Sequence, residues 1–266
     1  MDSTNTAPTA APRDVTPDVE HRLSRLRVWN LGVGLVLAVQ AVALALLTND
    51  FSLPVTATFM DGPPGTEPGL RTLFDVRLGW GVFAFMAISA AALFIIASPG
   101  VVERYRRSLL RDRNYGRWIE YFFSSSLMIV LIAMITGVSD IAALVAIFGV
   151  NASMILFGLL MEKYETPGRP GWLPFLFGCF AGIVPWIAIF IYLWAPGLDA
   201  SPPGFVYGIF VSLFVFFNIF ALNMVLQYKK VGPWRDYLFG EKAYILLSLT
   251  AKSLLAWQVF SAVLAS

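Results

Sequence analysis

The fold is decided by the stretch EKAYILLSLTAKSLLAWQVFSAVLAS, which runs from Glu241 to Ser266 and carries one lysine in the middle of an apolar run. No other charged residue lies near Lys252 in that run. An ammonium group at this depth in a bilayer costs roughly 2.5 kcal/mol or more. The protein must therefore pair the group, neutralise it or use it chemically. A buried lysine loses its proton easily, and the free amine is the nucleophile that forms Schiff bases with aldehydes.

The composition is typical of a membrane protein, with 58% hydrophobic residues, 14% charged residues and a mean hydropathy of +0.70. Cys179 is the single cysteine, which excludes an intramolecular disulfide, and His21 is the single histidine, which excludes a Cys/His metal cluster. Residues 1–20 are rich in Ala, Pro, Thr and Asp and are expected to be disordered. The first apolar run starts near Trp29 and is long enough to remain as an anchor, so no cleavable signal peptide is expected.

Seven stretches are long and apolar enough to cross a membrane, because a helical span needs about 20 apolar residues at 1.5 Å each. They are Trp29–Thr48, Leu78–Ser98, Arg111–Val138, Ile141–Met161, Leu173–Ala195, Phe205–Gln227 and Lys242–Leu264. Hydropathy alone starts the third stretch at Trp118, and an Arg-rich helical extension moves that start back to about Arg111. The sequence therefore predicts an all-α membrane protein with seven transmembrane helices.

Lys and Arg are distributed unevenly between the two sides of the predicted bundle. The N-terminal segment and the second, fourth and sixth loops carry 15 of them, whereas the opposite side carries only Arg71 and Arg77. Loops rich in Lys and Arg remain in the cytoplasm. We therefore predict a multi-pass protein of the cell membrane with a cytoplasmic N-terminus and an extracellular C-terminus.

The first outer loop, Asn49–Arg77, is the only long loop on the extracellular side. Its segment FSLPVTATFM alternates Leu53, Val55, Ala57 and Phe59 on one face, and a Gly-Pro-Pro-Gly turn signal follows. This pattern predicts a short extracellular β-hairpin. The hairpin is either an ordered loop within one chain or a pairing surface for a second protomer, and the sequence leaves both open.

The fifth span contains Gly178-Cys-Phe-Ala-Gly182, in which small residues recur at a spacing that permits close helix approach. Packing within one chain explains this spacing as well as dimerisation does. Together with the first outer loop, the face formed by spans four and five is the predicted homodimer contact. Pro185 and Trp186 follow, where a helix kink would direct a large ring inward.

Glu120 is the one carboxylate that we place inside the seven spans, because the other acids, Glu162 and Glu241 among them, fall at span ends or in loops. A buried acid and a buried base in one bundle are expected to pair, since either alone is costly. Lys252 lies about 16 Å along the seventh span, and Glu120 lies about 13 Å along a third span that begins near Arg111. The similar depths favour the long third helix. A salt bridge that only joins two helices is the structural alternative.

Hydroxyl groups accompany both charged residues. Ser124 stands one turn beyond Glu120, with Ser125 and Ser126 beside it, and Ser248 stands one turn before Lys252. Residues four apart share a helix face, so each charged group is expected to have a hydroxyl within reach.

Seven spans, with a lysine in the middle of the last and an acid in the third, resemble a retinal-binding rhodopsin, and the cytoplasmic N-terminus resembles that of the heliorhodopsins. Three stretches carry the resemblance: RWIEYFFSSSLMIVLIAMITGVSDIAAL (Arg117–Leu144), Pro185-Trp186 and SLTAKSLLAWQ (Ser248–Gln258). It implies a seven-helix rhodopsin-like bundle in which Lys252 holds all-trans retinal as a protonated Schiff base. Glu120 would be the counterion.

The resemblance also implies the surroundings of the pair. Ser248 and the cluster Ser124–Ser126 would form hydrogen bonds around it, and the candidates for the polyene pocket are Met128, Trp186, Phe210, Phe214 and Phe217. The family often carries histidines in spans one and two near the Schiff base, and this chain has none there. The group that takes up the Schiff-base proton is therefore left open.

The function implied is that of a photoreceptor, not an enzyme, which signals through light-driven isomerisation of retinal without net ion transport. Its partners would be retinal, the lipid bilayer, a second copy of the chain and an unidentified cytosolic signalling protein, with no role for nucleic acid. Two domains are expected, a disordered basic cytoplasmic segment (residues 1–27) and a retinal-binding membrane domain (residues 28–266).

Two alternatives remain. A light-driven proton pump or proton channel needs further titratable groups along a path through the membrane. A non-retinal transporter that uses the Lys252–Glu120 pair would show broken helices and an internal repeat, and the sequence shows neither.

Overall fold

The computed structural model describes residues 15–67, 69–194 and 202–264 as a helical bundle with one small sheet. The elements are α1 (Pro17–Leu47), β1 (Ser52–Phe59), β2 (Gly69–Arg77), α2 (Leu78–Ala97), α3 (Val102–Leu109), α4 (Tyr115–Ile135), α5 (Ile141–Tyr164), α6 (Leu173–Trp194), α7 (Gly204–Tyr228) and α8 (Tyr237–Leu264). A 3₁₀ turn, Gly232–Arg235, precedes α8. Seven helices of the described chain, all except α3, are long and apolar enough to cross a membrane. The predicted seven-helix membrane protein is confirmed.

The spanning helices form a ring around a packed interior. Contacts between neighbours run from α1 through α2, α4, α5, α6, α7 and α8, and α8 returns to α1. The most buried of the seven is α4, which also touches α6 and α7 across the ring. Leu37, Phe85, Ile129, Ile132 and Leu255 are fully buried in the core. Because lipid tails are as apolar as these side chains, close packing holds such helices together.

The strands β1 and β2 pair in antiparallel register, with Val55 opposite Phe74, so the predicted β-hairpin is confirmed. A bulge after Val55 shifts the register, and Val55, Thr56 and Ala57 are all buried where a strict alternation was expected. The Thr56 amide donates to the Ser139 carbonyl at 2.8 Å, and the two hydroxyls are 3.0 Å apart. The hairpin is therefore docked on the loop between α4 and α5.

The helix α1 begins at Pro17, which corrects the expectation that residues 1–27 are disordered, whereas residues 1–14 lie outside the described residues. The Thr16 side chain caps the helix, and proline is favoured in a first turn. Leu23 is already buried. The helix thus starts about three turns before the apolar run, because packing and capping support it there.

The starts of α4 and α8 also differ from the prediction. The helix α4 begins at Tyr115, and α8 begins at Tyr237, before the predicted start of the seventh span. The Arg-rich segment before α4 forms the separate helix α3, after which Asp112 adopts a left-handed φ of 56°. The Asn114 side chain then caps α4. A continuous third helix from Arg111 is therefore wrong.

Gly178 and Gly182 of α6 face α5 within the same chain. A Cβ at Gly182 would lie 2.5 Å from Sδ of Met154, and one at Gly178 would lie 3.4 Å from Cβ of Phe157. The small residues therefore let α6 approach α5 closely. Packing within one chain accounts for this pair of glycines.

The helix α5 offers a matched pair of glycine substitutions that tests its packing on α4. Gly158→Ala is expected to destabilise the protein by about 1–3 kcal/mol, because its Cβ would overlap the Trp118 ring, whose Nε1 donates to Glu162 at 2.7 Å. Gly149→Ala is the control, since nothing lies within 4 Å of its added Cβ. Thermal unfolding in detergent should show a lower midpoint for Gly158→Ala alone. Equal midpoints would show that the Trp118 ring moves aside without cost.

Candidate functional site

Lys252 lies within α8 with 3% of its surface exposed, and polar groups surround its amine. Its Nζ is 3.1 Å from Oε1 of Glu120 on α4 and donates a 2.5 Å hydrogen bond to Oγ of Ser248. Ser248 is one turn earlier on α8, and helical side chains lean toward the N-terminus, which brings the two groups together. The centroid of the Tyr121 ring is 5.1 Å from Nζ, within cation–π range. The structure thus brings Lys252, Glu120 and Ser248 to one point.

Glu120 has a further partner that the sequence analysis did not identify. Oγ of Ser89 on α2 lies 2.5 Å from Oε1 of Glu120 and 3.0 Å from the Phe85 carbonyl one turn earlier. One carboxylate oxygen therefore meets both Lys252 and Ser89, and it joins α2, α4 and α8. Ser89 is the single hydroxyl residue of the apolar helix α2, and this is the sequence signal that could have pointed to it.

The Lys252–Glu120 pair forms, but its two members do not lie at equal depths from the starts of their helices. Glu120 is five residues into α4, or about 7.5 Å, whereas Lys252 is fifteen residues into α8, or about 22 Å. The start of α8 extends further from the pair than the start of α4 does. The contact was expected, but the depth argument for it rested on helix starts that the structure does not have.

The serines of α4 face different neighbours. Ser125 and Ser126 each accept a 3.0 Å hydrogen bond from Nδ2 of Asn151 on α5. Ser124 is fully buried, and its Oγ has no hydrogen-bond partner among the described residues. Among the described residues, therefore, Ser248 and Ser89 supply the hydroxyls that contact the charged pair.

A cavity of about 140 Å³ opens beside Lys252 between the five helices α4 to α8. Ser125, Met128 and Ser248, which the sequence analysis singled out, line this cavity. Most of the remaining wall is aromatic or apolar and includes Trp118, Tyr121, Met154, Phe175, Phe217, Phe220 and Met224. The amine of Lys252 therefore stands at the wall of an apolar cavity.

Trp186, Phe210 and Phe214 are not among the described residues that line the cavity, but Trp186 contacts one that does. The centroid of the Trp186 ring lies 5.6, 5.3 and 5.4 Å from those of Phe210, Phe214 and Phe217, in edge-on geometry. Phe217 lines the cavity. The aromatic face predicted for the sixth span thus reaches the cavity through Phe217, and the sequence analysis missed Phe220, which lies further along α7.

A second buried charge cluster lies near the starts of α4 and α8. Arg117 forms ion pairs with Glu162 of α5 and with Glu241 of α8, and all three residues are buried. Glu120 is therefore not the single buried carboxylate of the described chain, although Glu162 and Glu241 do lie near helix ends, as the sequence analysis placed them. The helices α5 and α8 both extend beyond the apolar runs, and Arg117 compensates the two acids there.

A smaller cavity of about 40 Å³ joins the two charge clusters. Glu120, Ser89 and Ser248 line it together with Arg117 and Glu241. Its wall also includes Asn30 of α1 and Tyr105 of α3, and no histidine of the described chain lines it. His21 is exposed near the start of α1.

A protein-family model described as heliorhodopsin matches residues 26–264, nearly the whole chain. A comparison with curated proteins gives no match. Retinal and its Schiff base are characteristic of that family, and the seven spanning helices with a hairpin agree with its fold. The chain therefore belongs to the heliorhodopsin family.

Proposed function

We propose that this protein is a light-sensing photoreceptor that binds all-trans retinal on Lys252, with Glu120 as the counterion. The observation that carries the proposal is a buried amine 3.1 Å from a carboxylate at the wall of an apolar cavity. Retinal, joined to Lys252 as a protonated Schiff base, supplies the light-absorbing polyene and its photoisomerisation. Membership of a family of retinal rhodopsins supports the same assignment.

The residues around Lys252 fit such a group. A desolvated amine attacks an aldehyde readily, and a cavity with aromatic and Met side chains suits an apolar chain. Met128 and Phe217 line the cavity, and Trp186, itself packed against Phe210 and Phe214, would hold Phe217 in place.

The polar side chains have separate roles in the proposal. Glu120 offsets the positive charge on the Lys252 nitrogen, Ser248 accepts a hydrogen bond from that nitrogen, and Ser89 orients the carboxylate. Ser125 lines the cavity, and Ser124 is buried one turn beyond Glu120, so both belong to the proposed surroundings of the chromophore.

A salt bridge that only joins α4 to α8 is the competing explanation of the pair. Protein interiors are close-packed, so side chains would be expected to fill the space around a purely structural pair. Lys252 and Ser248 instead line a cavity of about 140 Å³. The cavity favours a ligand-binding role.

Lys252→Arg and Lys252→Ala are expected to abolish the visible absorption that forms when all-trans retinal is added to purified apoprotein. Alanine has no amine, and a guanidinium does not form a Schiff base under these conditions. Lys242→Arg is the control on the same helix. The Lys242 amine does not line the cavity but lies over the Trp29 ring, 4.4 Å from its centroid. This control should give the wild-type pigment. A pigment in the Lys252→Arg protein would contradict the assignment.

Glu120→Gln is expected to shift the absorption maximum of the pigment to the red. A nearby carboxylate stabilises the localised positive charge of the ground state more than the delocalised charge of the excited state. Loss of the carboxylate charge therefore narrows the energy gap between the two states. Spectra recorded between neutral and acidic pH should show a red shift in the wild type as Glu120 is protonated, and no such transition in Glu120→Gln. Glu103→Gln, at an exposed site on α3, is the control. An unchanged colour and an unchanged acid transition in Glu120→Gln would exclude Glu120 as counterion.

The distribution of buried charges supports a photocycle without net ion transport. The buried acids and bases of the described chain other than Lys252 are Arg117, Glu120, Glu162 and Glu241, and contacts group them toward the starts of α4 and α8. Vectorial transport needs titratable groups along a path on both sides of the lysine. The side toward the end of α8 carries apolar residues such as Leu255 and Val259 in the core.

Illuminated vesicles that contain the retinal-loaded protein, in weakly buffered medium, are therefore expected to show no sustained pH change. Vesicles with Lys252→Ala provide the baseline. A sustained pH change that an uncoupler abolishes would instead support the proton-pump alternative.

Two further proposals concern the hairpin, which we place outside the cell on the strength of the 15-to-2 bias in Lys and Arg. Its strand β2 exposes Leu70, Leu73 and Phe74, with 69%, 45% and 52% of their surfaces accessible. We assign this surface, with the adjoining α5 and α6 face, to a homodimer contact. The photoreceptor would signal from its opposite, cytoplasmic side to an unidentified cytosolic protein.

One cysteine variant tests both the orientation and the dimer. Leu73→Cys in a Cys179→Ser background should react with a membrane-impermeant maleimide added to intact cells, and should form a disulfide-linked dimer on oxidation. Ser108→Cys on the cytoplasmic side is the matched control and should be protected. Protection of Cys at position 73 would contradict the orientation, and its failure to cross-link would contradict the dimer contact.

A further inference from the structure

The two carboxylates that share Arg117 differ in the number of hydrogen bonds that they accept. Glu162 accepts hydrogen bonds from Arg117, from the Asn114 amide, from Nε1 of Trp118 at 2.7 Å and from the hydroxyl of Tyr237 at 3.3 Å. Glu241 accepts from Arg117 and from Nδ2 of Asn114 at 2.6 Å. Each donor favours the ionised form of a carboxyl group. Glu241, which has fewer donors and lines the small cavity, is therefore the acid of this pair that lies beside the cavity.

The small cavity lies between this cluster and the two residues that contact the Lys252 amine, Glu120 and Ser248. A water molecule needs roughly 10–15 Å³ of such space, so about 40 Å³ accommodates about three. Two buried polar atoms in residues that line the cavity, Oδ1 of Asn30 and Nε of Arg117, have no hydrogen-bond partner among the described residues. Water in the cavity would satisfy such atoms, since buried polar groups are almost always hydrogen-bonded. The cavity therefore has room for water between Glu120 and Glu241.

We propose that Glu241 is the acceptor of the proton that leaves the Lys252 nitrogen after illumination, and that water in the small cavity conducts it. This inference rests on the proposed photoreceptor function. The N–H bond of the lysine nitrogen breaks and leaves its electron pair on nitrogen, and an O–H bond forms on the Glu241 carboxyl group. The return to the dark state reverses both changes, so no proton crosses the membrane.

Electrostatic repulsion favours Glu241 as the acceptor of the proton, although Glu120 lies nearer to the Lys252 nitrogen. With Glu162 and Glu241 both ionised, two like charges share the guanidinium of Arg117 and repel each other. A proton on Glu241 removes that repulsion and leaves Arg117 matched with Glu162. A proton on Glu120 leaves the repulsion in place. While the proton is on Glu241, the Glu120 anion keeps its hydrogen bond from Ser89.

The other charged or titratable groups that face Glu241 come from the helices packed around it. They are Tyr105 of α3, Arg117 of α4, Glu162 of α5, and Tyr237 and Tyr244 of α8. Burial, and then the nearby Glu241 carboxylate, raise the pKa of Tyr105 far above its ordinary value. The Tyr105 phenol therefore keeps its own proton and does not compete as an acceptor.

The first test is light-induced infrared difference spectroscopy on the retinal-loaded full-length protein. The wild type should gain a carboxylic acid C=O band with the same kinetics as the blue-shifted state in which the lysine nitrogen is unprotonated. Glu241→Gln should lack the band and should form that state more slowly and in lower yield. Glu241→Asp should restore a band at a shifted frequency, and Glu103→Gln should match the wild type. The proposal would be overturned if the band were lost in Glu120→Gln but kept in Glu241→Gln. Release of the proton to a soluble pH dye would also overturn it.

The second test uses apoprotein and does not depend on the chromophore. Acidification of the wild-type apoprotein should produce a C=O band that is absent from Glu241→Gln and present in Glu103→Gln. A Glu241-dependent band already present at neutral pH would contradict the proposal, because a protonated carboxyl group cannot accept a proton. Size-exclusion profiles and far-UV circular dichroism of Glu241→Gln should match the wild type, since Arg117 keeps Glu162 as partner.

Failure of the inference and failure of the proposed function give different results. If wild-type apoprotein forms no visible pigment with retinal, the photoreceptor assignment itself fails. If the pigment forms but its lysine nitrogen never loses the proton, or loses it with no Glu241-dependent band, the function stands and Glu241 is not the acceptor.

Discussion

The ion pair between Lys252 and Glu120 is the interaction on which the rest of the structure depends. An isolated charge inside the bilayer is costly, and removal of one partner of a buried pair typically destabilises a protein by about 3–5 kcal/mol. The pair therefore fixes α8 against α4, and Ser89 adds α2 through the same carboxylate oxygen. Because the lysine also borders a cavity, the bundle satisfies the amine electrostatically while leaving space beside it.

The second constraint is the placement of the other buried charges. Arg117 neutralises Glu162 and Glu241 where α5 and α8 extend beyond their apolar runs. This arrangement ties α4 to both helices and lines the small cavity with ionisable groups. Polar groups thus occupy one side of the lysine and apolar packing occupies the other. Such asymmetry suits the internal storage and return of a proton better than its transfer across the membrane.

Hydropathy was sufficient for the coarse fold, because membrane spans must be long, apolar and helical. The hairpin followed from its alternation and turn signal, and the Lys252–Glu120 contact followed from the cost of an unpaired charge. The remainder depends on tertiary contacts that periodicity does not report. Hydropathy windows discounted Glu162 and Glu241 at span ends, where Arg117 makes their burial tolerable, and a break at Asp112 separates α3 from α4. Ser89 and Phe220 carry only weak local signals, and the packed bundle is needed to show that Ser89 contacts Glu120 and that Phe220 lines the cavity.

The most direct test of the account is to locate the covalent bond. Wild-type apoprotein is incubated with all-trans retinal, the pigment is reduced with borohydride to convert the imine to a stable amine, and the digested protein is analysed by peptide mass spectrometry. The account predicts a retinyl group on Lys252 within the peptide that contains SLTAKSLLAWQ, with no adduct on Lys242. An adduct on another lysine, or no adduct in a protein that has acquired colour, would contradict the claim that the chromophore is bound to Lys252 beside Glu120.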